Sequence, residues 1–207
     1  MNWMLILFEI LGTIAFSVSG AFVAIRRKMD VFGVAVLGLT TAIGGGVIRD
    51  LLLGVTPPMT FRDPMYALLA IAVAVVVFFP SVRGFLTRRH RIYDQVLLIF
   101  DSIGLGVFSV VGVQAAHLAG YGENEFLQVF VGVMTGVGGG ILRDVMAQTT
   151  PYVFEKHFYA TASLLGALCC SLLWDFAGYA AAMIVGAAVT FVLRLCAAHF
   201  RWSLPKA

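Results

Sequence analysis

Two short stretches carry residue types that could do chemistry inside a membrane: AIGGGVIRD at 42–50 and GVGGGILRD at 136–144. Each places a glycine triplet (Gly44, Gly45 and Gly46, or Gly138, Gly139 and Gly140) two apolar residues ahead of an Arg–Asp dipeptide. The surrounding residues are apolar, so Arg49, Asp50, Arg143 and Asp144 fall in runs that otherwise read as membrane helix. An unpaired charge near the centre of such a helix costs roughly 2.5–3.5 kcal/mol. Four of them sum to about 10 kcal/mol, comparable with the ~5–15 kcal/mol stability of a whole domain. They must be paired or hydrated. A glycine costs ~1 kcal/mol relative to alanine in a helix interior, and a triplet predicts a break. Breaks at membrane depth are tolerated only where the backbone is buried in protein or lines a watery cavity. A broken helix offers carbonyls to a cation and N–H groups to an anion, so the chemistry expected here is passage or binding of a small ion. Close helix packing is the plainer use of such glycines, and Gly132 and Gly136 fit it well.

The elements that must hold these residues follow from composition. Of 207 residues, 60% are hydrophobic and 12% charged, with a mean hydropathy of +0.95. Soluble domains carry about 25% charged residues, so the chain reads as an all-α polytopic integral membrane protein. Seven spans are expected, at roughly 3–25, 32–54, 64–80, 95–118, 126–148, 158–175 and 177–198, each near the ~20 residues needed to cross the hydrocarbon core. They make one transmembrane domain over 1–207. The run from Trp3 to Ile25 lacks a basic leader and is read as an uncleaved first span. Cys169, Cys170 and Cys196 are read as small buried hydrophobes, and neither a metal site nor a cofactor is expected.

Basic residues collect on alternate connections: Arg26, Arg27 and Lys28; then Arg83, Arg88, Arg89 and Arg91; then Lys156; then Arg201 and Lys206. The opposite set holds Arg62 and, in another loop, Glu123 and Glu125. The positive-inside rule puts the N-terminus outside and the C-terminus in the cytoplasm. The basic clusters are topology signals, and no nucleic-acid partner is expected. Arg194 is expected to snorkel to the headgroups, and His117 and His157 to sit at solvated interfaces.

The chain repeats itself. EILGTIAFSVSG at 9–20 aligns with DSIGLGVFSVVG at 101–112, keeping Gly12/Gly104, Phe16/Phe108, Ser17/Ser109, Val18/Val110 and Gly20/Gly112 and setting Glu9 against Asp101. With a two-residue shift the glycine motifs align and Pro57 meets Pro151. Three spans per copy force opposite orientations. The fold expected is two inverted three-helix repeats, about 3–80 and 95–175, plus a seventh helix at about 177–198, with spans 2 and 5 broken at the triplets. Inverted repeats place a binding or permeation site near the midplane.

Adjacent residues lie about 100° apart on a helix, so Arg49 is not expected to be neutralised by Asp50 alone. Depth suggests two charged layers instead, Glu9–Arg49 outside and Asp101–Arg143 inside. Ser17, Ser109, Thr41 and Thr135 occupy matched positions and could line a hydrophilic path or bond back to their own backbone.

The doubled motif, the three-plus-three-plus-one arrangement and the length resemble the prokaryotic branch of the trimeric intracellular cation channels, a branch also described as a glycine transporter family. The resemblance spans essentially the whole chain. It implies a homotrimer in a prokaryotic inner membrane, in contact with membrane lipid, with one pore per protomer for potassium and sodium. The pore residues would be those of 44–50 and 138–144. The basic motif that animal members carry in the fourth span has no clean counterpart at 95–118. A passive monovalent cation channel is the leading expectation. A carrier of a small zwitterion such as glycine, its carboxylate held by an arginine, is the alternative. An enzyme is not expected, since SVSG at 17–20 has no histidine at its depth and HExxH is absent.

Overall fold

A computed structural model describes residues 3–80, 90–155 and 158–202, and among these it is helical, with no strand. In chain order the helices are α1 (Trp3–Arg26), α2 (Val31–Leu52), α3 (Met59–Arg62), α4 (Met65–Phe78), α5 (His90–Leu118), α6 (Glu125–Met146), α7 (Tyr152–Glu155) and α8 (Tyr159–His199). Five of them are long and apolar enough to cross a membrane, and α4 is a shorter apolar helix of 14 residues. The 22 residues of α2 and of α6 each rise about 33 Å, close to the ~30 Å of hydrocarbon in a bilayer. Their starts are set by side-chain caps: Gly33 N donates to Asp30 Oδ1 at 2.8 Å, and Leu127 N to Asn124 Oδ1 at 3.0 Å. A cap of this type supplies an acceptor for one of the orphan N–H donors at a helix start.

The 41 residues of α8 do not run straight. Gly178 (φ 77°, ψ 157°) leaves helical geometry, and at this φ glycine lacks the Cβ clash that other residues meet. A straight helix would separate Gly166 from Gly186 by about 30 Å. Instead, a Cβ on Gly166 would lie 2.6 Å from the Gly186 carbonyl oxygen, so 159–177 and 179–199 fold back on each other. The reversal falls at the junction of the spans read at 158–175 and 177–198.

Helices α1 and α5 pack together, α2 crosses α6, α4 covers α1 and α2, and α8 covers α5 and α6. The contacts come in matched pairs. A Cβ on Gly45 would overlap the Thr135 carbonyl oxygen, and one on Gly139 the Thr41 carbonyl oxygen. A Cβ on Gly20 would lie 2.9 Å from Gly38 Cα, and one on Gly112 2.7 Å from Gly132 Cα. The Phe16 and Phe108 rings meet at 5.3 Å, each lying over the glycine of the opposite stretch, Gly104 or Gly12.

The triplets do not break their helices. Both α2 and α6 are continuous through Gly44–Gly46 and Gly138–Gly140, which corrects the expected breaks. The cost of glycine is offset by close approach: with no Cβ at Gly45 or Gly139, the two backbones cross in contact, as small-residue motifs permit in membranes.

Candidate ion pathway

Both Arg–Asp dipeptides close their helix in the same way. Asp50 accepts from Arg49 Nε at 2.8 Å with Oδ1 and from Met59 N, at the start of α3, at 2.8 Å with Oδ2. Asp144 accepts from Arg143 Nε at 2.8 Å and from Tyr152 N, at the start of α7, at 2.9 Å. Each aspartate therefore ties the end of its helix to the short helix that follows. At Arg49 this corrects the expectation that Asp50 alone would not neutralise it, whereas Arg143 has a second carboxylate in Asp101. The 100° separation holds for Cβ directions, but the Arg side chain is long enough to turn its Nε back to the adjacent carboxylate.

The two arginines then differ. Arg143 is fully buried, and its Nη1 donates to Asp101 Oδ1 at 2.5 Å and to Ser19 Oγ at 2.5 Å. Its guanidinium lies 5.0 Å from the centre of the Tyr152 ring. The expected Asp101–Arg143 contact is made. Its mirror, Glu9–Arg49, is not: no ion pair joins them among the described residues, and Glu9 instead accepts from Tyr66 Oη at 2.6 Å. Arg49 keeps Asp50 as its carboxylate and stays 12% exposed.

Glu9 and Arg49 face a common cavity of about 250 Å³, with Thr13, Gly46, Asp63, Tyr66 and Phe108 in its wall. A second cavity of about 650 Å³ lies at the other end of α1, walled by Arg26, Arg27, Tyr93, Asp144, Gln148 and Tyr152. Arg26 reaches Asp94 at 3.3 Å, and Arg27 donates to the Gln148 carbonyl at 3.1 Å. Between the cavities lie Phe16, Ser19, Asp101 and Arg143, all fully buried. Together they form a buried septum with a charged centre.

The other anticipated positions sit as follows. Gly46 lines the first cavity, whereas Gly44, Gly45, Gly138, Gly139 and Gly140 serve the helix crossing or pack against side chains. Ser17, Thr41, Ser109 and Thr135 are fully buried and line neither cavity. Ser17 donates to the Ala70 carbonyl, and the others donate to the carbonyl four residues back. Arg194 does not snorkel. It is 3% exposed, with its guanidinium 4.8 Å from the centre of the Tyr159 ring. His117 stacks on Trp174 at 4.1 Å. His157, Arg83, Arg88, Arg89, Lys156 and Lys206 lie outside the described residues, as does the Arg91 side chain.

Sequence reasoning missed Tyr66, Asp63, Ser19, Tyr159 and Arg194 as neighbours of the charges. One signal was available. Tyr66 lies seven residues past Met59 and Tyr159 seven past Tyr152, counted from the two N–H groups that the aspartates hold. A one-residue difference in the connection from Asp50 or Asp144 hides this match in an ungapped alignment.

Comparison with known proteins gives one family. A family model described as "Glycine transporter" matches residues 6–81 and 98–175. A UPF0126 membrane protein of Vibrio cholerae is 39% identical over 205 residues, covering 98% of this chain and 82% of its own. Among solved structures, the TRIC trimeric intracellular cation channel orthologue of Rhodobacter sphaeroides is 36% identical with a TM-score of 0.87, over 96% of this chain and 98% of that one. A prokaryotic TRIC channel crystallised in 0.5 M KCl is 31% identical with a TM-score of 0.90, over 99% of this chain and 100% of that one.

Proposed function

We propose a function for a chain that belongs to the prokaryotic TRIC family, the family whose model is described as "Glycine transporter": it is a monovalent cation channel for potassium and sodium. It assembles as a homotrimer with one pore in each protomer. The solved relatives named as trimeric cation channels, at TM-scores of 0.87 and 0.90, support this reading. The two matched stretches, 6–81 and 98–175, and the paired contacts of Gly45 with Thr135 and Gly139 with Thr41 support two inverted three-helix repeats plus a seventh helix, in one transmembrane domain. The basic connections support an inner-membrane protein with its N-terminus outside.

One observation carries the channel over the carrier: both motif arginines already hold carboxylates. Arg49 is bound to Asp50, and Arg143 to Asp101 and Asp144. The charge of each motif arginine is already matched within the chain, so a substrate carboxylate would have to compete with Asp50 or with Asp101 and Asp144. The Glu9 cavity, with Glu9 and Asp63 facing one guanidinium that Asp50 already neutralises, is acidic and concentrates cations at its mouth. The septum of Asp101, Arg143 and Ser19 is the closed constriction. A cation passes when Arg143 leaves Asp101 and water enters between them, because an ion cannot cross a dry layer without replacing its hydration.

Purified protein in liposomes decides the matter by potassium flux measured beside uptake of labelled glycine. The expected result is potassium flux that does not saturate, with no glycine uptake. Saturable glycine uptake without potassium flux would overturn the proposal.

A further inference from the structure

The septum contains atoms that the closed arrangement leaves unused. Asp101 Oδ2, Arg143 Nη2, Tyr159 Oη and Arg194 Nε are all buried and without a hydrogen-bond partner among the described residues. They belong to one cluster: Arg143 pairs with Asp101, and the Arg194 guanidinium lies over the Tyr159 ring. A Cβ on Gly140 would stand 2.6 Å from Tyr159 Oη and 3.8 Å from Arg143 Nη2, so both groups lean on this bare glycine. Arg194 makes no ion pair among the described residues, and its contact is the face of the Tyr159 ring.

The corresponding tyrosine at the other cavity behaves differently. Tyr66 gives its hydroxyl to Glu9, the counterpart of Asp101, and Arg49 rests on Asp50 beside a cavity. At the septum, Asp101 is held by Arg143, and the hydroxyl of Tyr159 is idle. One difference between the two sites is Arg194. It comes from 179–199, the stretch of α8 that lies beyond both matched units. Among the described residues no guanidinium lies on the Tyr66 ring.

We propose that Arg194 is the residue that holds the septum shut, by keeping the Tyr159 ring turned so that its hydroxyl cannot reach Asp101. This rests on the channel reading above. The two repeats display two settings of one four-residue device. With Tyr159 released, its hydroxyl donates to Asp101 as Tyr66 does to Glu9. Asp101 then lets go of Arg143, which stays with Asp144 as Arg49 stays with Asp50. The layer acquires the setting that borders a cavity at the other end. A cation over an aromatic face is worth most where both are desolvated, which is the situation of a guanidinium on a tyrosine that is 2% exposed. Arg194 is not among the residues that line the first cavity and acts through Tyr159, so it is a positioning residue.

Single-channel recording of the purified protein in planar bilayers tests this, with oligomeric state checked by size exclusion. Arg194→Gln should raise open probability about tenfold, in the range typical of one coupled equilibrium, and leave unit conductance unchanged. Arg194→Lys, which keeps a cation on the ring, should restore wild-type gating. Adding Tyr159→Phe to Arg194→Gln should close the channel again, because the hydroxyl that takes Asp101 is gone. A purely structural role for Arg194 would not be reversed by that second change. If Arg194→Gln fails to assemble, Tyr159→Phe alone suffices: its thermal midpoint should match wild type while open probability falls about tenfold. Unchanged open probability in Arg194→Gln, in Tyr159→Phe alone, or equal opening in the double variant, would overturn the inference. Absence of any wild-type potassium current would instead overturn the channel reading, so the two failures are distinguishable.

Discussion

A double-mutant cycle on each of the two charged sites separates a buried ion pair from two charges that merely share a cavity. The perturbations are Asp101→Ala with Arg143→Met, and Glu9→Ala with Arg49→Met. At the septum, Asp101 and Arg143 are both fully buried, 2.5 Å apart. Removing one member of such a pair strands the other charge in the protein interior and costs about 3–5 kcal/mol. Removing both leaves no stranded partner from this contact. Asp144 does lose its arginine, so the double change is not free, but about 2–3 kcal/mol of the single losses should be recovered as coupling. The other site has no direct contact to lose. Glu9 is bonded to Tyr66 and Arg49 to Asp50, so its coupling should stay below about 0.5 kcal/mol, as for residues without shared partners. The readout is the thermal unfolding midpoint in one detergent, where each kcal/mol moves a chain of this size by about 2–4 °C. Coupling below about 1 kcal/mol at Asp101–Arg143, or equal coupling at both sites, would refute the reasoning that burial and contact separate them.

Two further outcomes follow from the geometry. Gly45→Ala and Gly139→Ala each push a methyl into the carbonyl oxygen of the opposing helix and should cost at least ~2 kcal/mol. In Gly46→Ala the nearest neighbour is Arg49 Nη2 at 3.9 Å, so it should be tolerated; the same unfolding measurement compares the three. Glu9→Gln and Asp63→Asn should each lower potassium conductance severalfold at low salt and much less at 1 M, where screening length falls to about 3 Å. A loss that does not depend on salt would mean that the residues act on folding instead of cation concentration.

Hydropathy and the internal repeat carried much of this architecture. They marked the apolar runs, the matched glycines and the facing of Asp101 and Arg143, because depth along a helix follows from counting residues. They did not give azimuth or side-chain reach. Glu9 and Arg49 lie at similar depth, yet Tyr66, brought in by α4, takes the carboxylate first. The reach of an arginine back to its neighbouring aspartate is invisible to a helical-wheel argument. The triplets were read as breaks because glycine destabilises an isolated helix, whereas here each meets a second backbone that fills the space a side chain would need. The place of Arg194 near the inner end of its span points to the headgroups, but the fold-back at Gly178 turns that stretch onto α5 and α6 and brings it to Tyr159.

The glycine crossing of α2 and α6 acts as a fulcrum, and lever arms about it are very unequal. Arg49 is four residues from Gly45, and Arg143 four from Gly139, so each lies only about 6 Å from the contact. A rocking motion of about 10° would shift either guanidinium's backbone by about 1 Å, too little to open a path for a hydrated ion. The same rotation would carry Val31, fourteen residues from Gly45, by about 4 Å. Tilting these helices therefore moves their far ends and leaves the charged layer almost in place. Rocking at the crossing is therefore a poor way to part Arg143 from Asp101, and turning these side chains about their own bonds is the more direct one.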